Sequence, residues 1–182
     1  MDEAAAFGDV LVWTMRDRNP ANVFPAADAT AHLRGKVIID LNNRDYANEV
    51  MSDKARWFDT SLGEELQANI PDVHVVKAFN TVAMEALDTS AKSLQATNTQ
   101  IFLAGQDDAA RATVDKLATG LGFECVDLGG GAVTMRAAEA LGDIVRPVMI
   151  RQGKGGRANI GIRMMDAPDL NLIGGREESK YH

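Results

Sequence analysis

The chain has 182 residues, of which 46% are hydrophobic and 25% are charged, and its formal net charge is −7. These proportions are typical of a globular protein and exclude a disordered one. The acidic balance argues against a nucleic-acid partner, because contact with a phosphate backbone needs a concentrated basic face. No apolar stretch approaches the roughly 20 residues that span a bilayer, and no signal-peptide pattern opens the chain, so we expect a cytoplasmic protein with no membrane contact.

Five apolar runs of strand length alternate along the chain with segments of helical character. The runs cover residues 10–15, 36–41, 74–79, 100–105 and 124–129. Most of them are continuous rather than alternating, which is the pattern of strands covered on both faces.

Three helices are predicted from capping and periodicity. Ser61 and Glu64 have the spacing of a capping box, and the segment that they open ends at Pro71. Apolar residues recur every three or four positions over residues 107–121. A third helix is predicted over residues 134–152.

The alternation of strands and helices predicts an α/β fold. We expect a Rossmann-type, largely parallel sheet with helices on both faces and right-handed crossovers. Residues 1–165 form one domain in this interpretation, and residues 166–182 form a polar C-terminal tail.

Ligands of open parallel sheets bind at the carboxyl ends of the strands. If all five strands are parallel, their ends meet at one edge of the sheet. The loops to consider there are residues 14–16, 40–43, 78–81, 104–106 and 127–131.

Amide and hydroxyl side chains follow the first three strands. They are Thr14, Asn42, Asn43, Asn80 and Thr81, and each can both donate and accept a hydrogen bond. Such a rim suits a neutral ring that carries an amide, such as nicotinamide. The alternative is that these residues only cap helices and turns, as Asn and Thr commonly do after strands.

Motifs for nucleophilic and metal chemistry are absent from the sequence. No Ser-His-Asp set, GxSxG turn or P-loop occurs, and the three histidines have no metal-binding spacing. A site without an obvious nucleophile or base suits hydride transfer between two bound cofactors, which depends on proximity and alignment. The single cysteine, Cys125, lies in an apolar run and is predicted to be a small buried hydrophobic residue.

Four stretches occur in an order and at a spacing that resemble a known family. They are KVIIDLNN, NIPDVHVVKAFNTV, IFLAGQDDAARATVDKLATGLGFECVDLG, and MRAAEAL with its Arg136 and Glu139. Together they resemble the NADPH-dependent coenzyme F420 (deazaflavin) reductases, including the related reductase domain of membrane metalloreductases. The resemblance runs from about Asp9 to Met165, and AFNT and AGxDD are its most specific parts.

The resemblance implies a Rossmann-type domain that binds NADP and passes hydride between NADP and coenzyme F420 or a flavin. In this family the loops after the corresponding strands line the nicotinamide pocket. Carried over by position, the cofactor-binding residues are Thr14, Met15, Asn42, Asn43, Ala78 and Asn80. No catalytic side chain and no metal is carried over. The first loop departs from the family, because Arg16-Asp17-Arg18 replaces a proline-containing turn. This departure leaves the shape of the pocket wall and the identity of the second substrate undetermined.

The front of the chain also departs from the family, which begins with a strand, a GxGxxG turn, a helix and a second strand that ends in Ser-Arg or Asn-Arg. These elements hold the pyrophosphate and the 2′-phosphate of NADP. No counterpart precedes Asp9, so we expect the first βαβ portion to be absent and the strand at residues 10–15 to be an exposed apolar edge.

Three explanations of this departure are open. The chain is a fragment, or the missing strands lie in another chain or are replaced by pairing in a homo-oligomer, or the protein is a degenerate member. In the last case it is a non-catalytic module that dimerises or binds a partner.

A reductase of β-keto or imino substrates fits less well, because such enzymes usually place a Lys or His general acid in a helical second domain.

We expect residues 1–182 to bind dinucleotide weakly or not at all, because the phosphate-binding elements of the family have no counterpart in the sequence. Calorimetric titration with NADPH measures this affinity. A dissociation constant in the low micromolar range would contradict the expectation.

Overall fold

Five strands of four residues each form the frame of the protein in the computed structural model, which describes residues 2–15, 22, 29–44, 59–153 and 155–165. The strands are β1 (Val10–Trp13), β2 (Val37–Asp40), β3 (His74–Lys77), β4 (Gln100–Leu103) and β5 (Glu124–Asp127). Each lies inside one of the five predicted apolar runs. The first-loop residues 16–18 and the tail at 166–182 lie outside the described residues.

Helices lie before, between and after the strands. The α-helices are α1 (Asp2–Phe7), α2 (Leu62–Asn69), α3 (Met84–Leu87), α4 (Ala91–Ala96), α5 (Asp108–Gly120) and α6 (Ala132–Arg151), and 3₁₀ helices cover Ala29–Leu33 and Gly155–Arg157. The three predicted helices are confirmed as α2, α5 and α6. The capping box of α2 is complete, because the Glu64 amide donates to Ser61 Oγ at 3.1 Å and the Ser61 amide donates to Glu64 Oε2 at 2.7 Å. Within the described residues, no helix combines the length and the apolar character needed to cross a membrane.

The strands run in two directions. β1, β2 and β3 pair in parallel, and β4 and β5 pair in parallel with each other. The two groups meet at one antiparallel bridge, between Lys77 and Ala104. Gly105 allows this close approach, because a Cβ at that position would lie 2.7 Å from the carbonyl oxygen of Val75. The architecture is the predicted α/β, Rossmann-like fold with largely parallel strands.

The reversal at β4 shows that one expectation is wrong: the carboxyl ends of the five strands do not meet at one edge. Asp107 follows β4, and its Oδ2 lies 3.6 Å from Nδ1 of His74, the first residue of β3. The loops after β4 and β5 therefore lie at the opposite edge from the loops after β1, β2 and β3. Residues 104–106 and 127–131 do not join the candidate site.

Helices cover both faces of the sheet. One apolar cluster includes Leu66 of α2 and Met135 of α6, and the other includes Val114 of α5. Successive residues of a strand point to opposite faces, and Ile38 and Ile39 of β2 accordingly belong to different clusters. This burial on both faces explains why the strands read as continuous apolar runs.

β1 lies at the edge of the described sheet, and Val12 is 57% exposed. The strand borders an apolar groove of about 490 Å³, which is lined by Val10, Val12, Ile39, Leu41, Phe79, Leu87, Leu117 and Leu121. Within the described residues β1 pairs with β2 alone, and Val12 is its exposed apolar residue. Such an edge favours pairing with another chain, and the homo-oligomer stays a prediction.

Cys125 is half-buried rather than fully buried. It lies in β5 and packs against the cluster that contains Val114. Burial is the main cause that raises the pKa of the Cys125 thiol to about 12, and the neighbouring Asp115 adds to it. The thiol stays protonated at neutral pH, so Cys125 acts as a packing residue and not as a nucleophile.

We expect Cys125 to react slowly with iodoacetamide at pH 8. A thiol with a pKa of about 12 holds far less thiolate than an unperturbed cysteine, so alkylation should be at least about a hundredfold slower. Mass spectrometry of the alkylated chain measures the rate, and the urea-unfolded chain is the control. Equal rates in the native and the unfolded chain would contradict this assignment.

Candidate functional site

Three asparagines meet where the parallel strands β2 and β3 end. Asn42 and Asn43 follow β2, and Asn80 follows β3. Asn43 Nδ2 donates to the carbonyl oxygen of Asn80 at 2.7 Å, and Asn80 Nδ2 donates to Asn43 Oδ1 at 3.2 Å. Asn43 and Asn80 therefore form a reciprocal pair that joins the two loops.

Asn42 is fixed by the ends of β1 and β2. Its backbone amide and its Nδ2 donate to Asp40 Oδ1 at 3.0 and 2.9 Å, and Nδ2 also donates to the carbonyl oxygen of Trp13 at 3.1 Å. Trp13 and Asp40 are the last residues of their strands. The position of Asn42 is therefore set by the sheet itself and not by the loop alone.

Helix α6 passes directly against the asparagine pair. Asn80 Nδ2 donates to the carbonyl oxygen of Ala138 at 2.7 Å, and Gly142 lies one turn further along the helix. A Cβ at position 142 would lie 2.9 Å from Asn80 Nδ2 and would also collide with Asn43 Oδ1. A glycine in a helix interior costs about 0.5–1 kcal/mol relative to alanine, and here it lets the helix approach the pair.

The turn that carries Asn80 contains a strained residue. Phe79 has a φ of +60°, which is rare for a bulky side chain. Its carbonyl oxygen accepts a hydrogen bond from the Val82 amide at 3.2 Å, and its ring packs edge-on against Phe123 with centroids 5.6 Å apart. Strain of this kind costs on the order of 1–3 kcal/mol and clusters at functional sites.

Two buried oxygen atoms in this turn lack hydrogen-bond partners. Within the part of the chain that the structure describes, these are Asn80 Oδ1 and Thr81 Oγ1, and their residues are only 4% and 1% exposed. An unsatisfied buried polar atom costs about 1–3 kcal/mol, and native proteins contain few of them. Their presence beside the Asn43–Asn80 pair fits a site that receives hydrogen bonds from a ligand.

The other predicted site residues contribute less directly. Thr14 is exposed, and Met15 is half-buried against the cluster that contains Leu66. Ala78 is fully buried in the other cluster, so its side chain offers no surface to a ligand. The structure thus joins the three asparagines and leaves Thr14 and Met15 at the end of the neighbouring strand.

A chain of buried charges lies beside the asparagines. The Lys77 ammonium lies 2.9 Å from Asp40 Oδ2 and 2.8 Å from Glu139 Oε1, and it also donates to the carbonyl oxygen of Asn42. Glu139 Oε2 lies 3.7 Å from Nε of Arg44. Two cations and two carboxylates alternate in this network, so their formal charges cancel.

Glu139 connects the charge network to α2. Its Oε1 accepts hydrogen bonds from the amides of Leu62 and Gly63 at 2.6 and 3.3 Å, at a helix N-terminus where the dipole favours negative charge. Burial raises the pKa of the Glu139 carboxyl, although the Lys77 ammonium acts in the opposite direction.

Sequence reasoning places Asp40 in a candidate loop and Glu139 in a matching stretch without assigning either to the site, and it misses Lys77. A lysine inside the apolar run HVVKAF is the available signal, because a lysine covered on both faces needs carboxylate partners. Asp40 ends the preceding apolar run, and the strand register places it directly opposite Lys77. Glu139 shares a buried face of α6 with Met135 and Gly142, at helical spacing.

No protein-family model matches the chain. It is 26% identical over 140 residues to metalloreductase STEAP3 of Rattus norvegicus, a match that covers 77% of this chain and 26% of that protein. It is 32% identical over 97 residues to metalloreductase STEAP2 of Mus musculus, covering 53% of this chain and 18% of that protein. The chain therefore spans about a quarter or less of the length of these curated relatives.

Solved structures share the fold. A protein of Arthrobacter sp. FB24 with the provisional name F420-dependent NADP-reductase is 28% identical with a TM-score of 0.68, covering 90% of this chain and 73% of that one. The hypothetical protein SMa0349 of Sinorhizobium meliloti is 25% identical with a TM-score of 0.57, covering 73% of this chain and 62% of that one. A variant imine reductase of Myxococcus stipitatus, in complex with NAD⁺, shares the fold at 15% identity and a TM-score of 0.53, covering 85% and 46% of the two chains. The chain thus has an α/β, Rossmann-like fold that it shares with these reductases.

We expect the free energy of unfolding of the wild type to fall, relative to that of Glu139→Gln, as the pH rises from 4 to 8. A carboxyl whose pKa is raised on folding stabilises the native state fully below its unfolded pKa near 4.5, and this contribution is lost as the pH rises through the folded pKa. Urea unfolding of both chains across this range measures the difference.

Glu3→Gln is the matched control, because Glu3 is exposed on α1. The free energy of unfolding of the wild type relative to that of Glu3→Gln should not fall as the pH rises from 4 to 8. If the wild type gains stability over Glu139→Gln as the pH rises, the Glu139 carboxyl has a lowered pKa and the assignment is wrong.

Proposed function

We propose that the chain binds the nicotinamide end of NADP(H) at the asparagine site and passes hydride between this cofactor and a deazaflavin such as coenzyme F420, or a flavin. The observation that carries the proposal is the reciprocal Asn43–Asn80 pair with the unpartnered Asn80 Oδ1 beside it. The pair lies at the carboxyl edge of parallel strands, where open α/β sheets bind their ligands. The Arthrobacter protein with an NADP-reductase name supports the same cofactor class.

The polar groups of the site fit a carboxamide. The NH₂ group of a nicotinamide carboxamide can donate to Asn80 Oδ1, and the Thr81 hydroxyl can donate or accept. A ligand that makes these bonds removes the cost of leaving the two oxygens unpaired. Because both oxygens are buried, contact with a ligand requires the turn at Phe79 to move.

The electrostatics of the site suit both oxidation states of nicotinamide. Asp40 and Glu139 offset the charges of Lys77 and Arg44 in the buried network. The oxidised ring is cationic and the reduced ring is neutral, so a network without net charge neither repels one form nor strongly prefers the other.

Orientation is the main task of these residues. When bound, the nicotinamide supplies or accepts the hydride. Transfer between two ring carbons depends on the alignment of the rings, which the amides of Asn42, Asn43 and Asn80 provide once the turn at Phe79 has moved. In the direction of deazaflavin or flavin reduction, a proton from water balances the hydride.

Side-chain amide signals in NMR test the binding step. NADPH at millimolar concentration, which reaches a weak site, should shift the Asn43 and Asn80 side-chain amides of the nitrogen-15-labelled chain. An ADP-ribose 2′-phosphate, which lacks nicotinamide, should leave them in place. Asn80→Ala should weaken NADPH binding about tenfold, the value of one hydrogen bond, whereas Gln95→Ala, which removes an exposed amide of α4, should not.

Addition of oxidised coenzyme F420 or a flavin to the same mixture tests hydride transfer. We expect a protein-dependent loss of NADPH absorbance that is slower in Asn80→Ala. Shifts without oxidation would contradict the transfer step, and unshifted asparagine amides would contradict the proposed site itself.

A further inference from the structure

The ammonium group of Lys77 uses all three of its protons. It contacts Asp40 Oδ2 at the end of β2, Glu139 Oε1 on α6 and the carbonyl oxygen of Asn42. The residue is fully buried, so water does not compete for these positions. An ammonium has three donors, and acceptors from three parts of the chain therefore fix its place.

Asn42 makes hydrogen bonds both through its backbone carbonyl oxygen and through its backbone and side-chain amides. Its carbonyl oxygen accepts from Lys77, and its amide and side chain donate to Asp40, which is itself paired with Lys77. The next residue, Asn43, donates to the carbonyl oxygen of Asn80. A continuous series of contacts thus runs from the Lys77 ammonium to the Asn43–Asn80 pair.

We propose that Lys77 is a positioning residue of the asparagine site, which fixes Asn42 and, through Asn42, the pair that faces the ligand. This inference rests on the proposed function for the identity of that ligand. Lys77 does not touch the ligand in this account, because its side chain is fully buried. Its effect is to hold the loop after β2 in one conformation.

A second buried cation provides a matched comparison. Arg111 is 7% exposed, and it pairs with Asp127 and Asp108 at 2.8 Å and donates to the carbonyl oxygen of Gly105 at 2.6 Å. These contacts lie at the ends of β4 and β5, away from the asparagines. Arg111→Met therefore removes a cation that is buried like Lys77, and it changes no contact of the loop after β2.

Hydrogen exchange of the ligand-free chain separates positioning from general stabilisation. In Lys77→Met, the Asn42 amide should exchange at least about tenfold faster relative to the Val76 amide of the central strand β3, because the loop opens without unfolding of the sheet. In Arg111→Met this ratio should stay at its wild-type value. A role in stability alone would accelerate both amides equally, and that result would overturn the proposal.

A neutral variant covers the case in which Lys77→Met fails to fold. Lys77→Met combined with Asp40→Asn removes one charge of each sign and leaves Glu139 paired with Arg44, and similar side-chain volumes favour folding. The Asn42 carbonyl still lacks its donor in this variant, so the same selective acceleration is expected. A wild-type ratio in the neutral variant would overturn the proposal.

The NADPH shifts distinguish failure of this inference from failure of the proposed function. If NADPH shifts the Asn43 and Asn80 amides of the wild type, the neutral variant should bind NADPH about tenfold more weakly by the same shifts. If the wild type shows none, the proposed function fails, while the exchange ratio still decides whether Lys77 positions the loop.

Discussion

A lysine ammonium buried in the middle of a sheet must be surrounded by acceptors, and this requirement organises the protein. Removal of one partner from a buried ion pair costs about 3–5 kcal/mol, because a charge is left without compensation. Lys77 of β3 therefore requires Asp40 of β2 and Glu139 of α6 together. Glu139 in turn accepts the amides of Leu62 and Gly63 at the start of α2. Two strands and two helices are thus placed by one set of charges.

Because β4 runs opposite to β3, the strands end at two different edges of the sheet, and a buried cation lies at each edge. Lys77 lies where β1, β2 and β3 end, and Arg111 ties together the ends of β4 and β5 through Asp127 and the carbonyl oxygen of Gly105. The two edges have different surfaces as a result. The Arg111 contacts are with the protein's own loops, whereas the asparagines next to Lys77 keep an unpartnered oxygen, at Asn80. Within the residues that the structure describes, the Asn80 oxygen therefore offers a ligand a buried acceptor at the first edge.

Sequence patterns predict the elements well because each signal lies within one element. The five apolar runs and the Ser61–Glu64 capping box are confirmed for this reason. The direction of β4 depends instead on how β3 and β4 meet: two short helices, of four and six residues, connect them, and an antiparallel neighbour needs no long crossover helix. The rule that ligands bind at strand ends finds the asparagines. It misses Glu139 and Gly142, because their place beside the site is set by the docking of α6, a contact between parts of the chain far apart in sequence.

The buried network also bears on which reductions the site suits. Lys77 already donates all three protons, and Glu139 Oε1 is occupied by Lys77 and two backbone amides. The Lys77 ammonium therefore has no proton free for a substrate at the asparagine edge, whereas Glu139 Oε2 has no hydrogen-bond partner within the described residues. Reduction of a carbonyl or an imine needs such a general acid next to the substrate, whereas hydride transfer between two rings needs alignment above all. Under the proposed function, the asparagine amides beside this network serve the alignment that transfer between two cofactors needs.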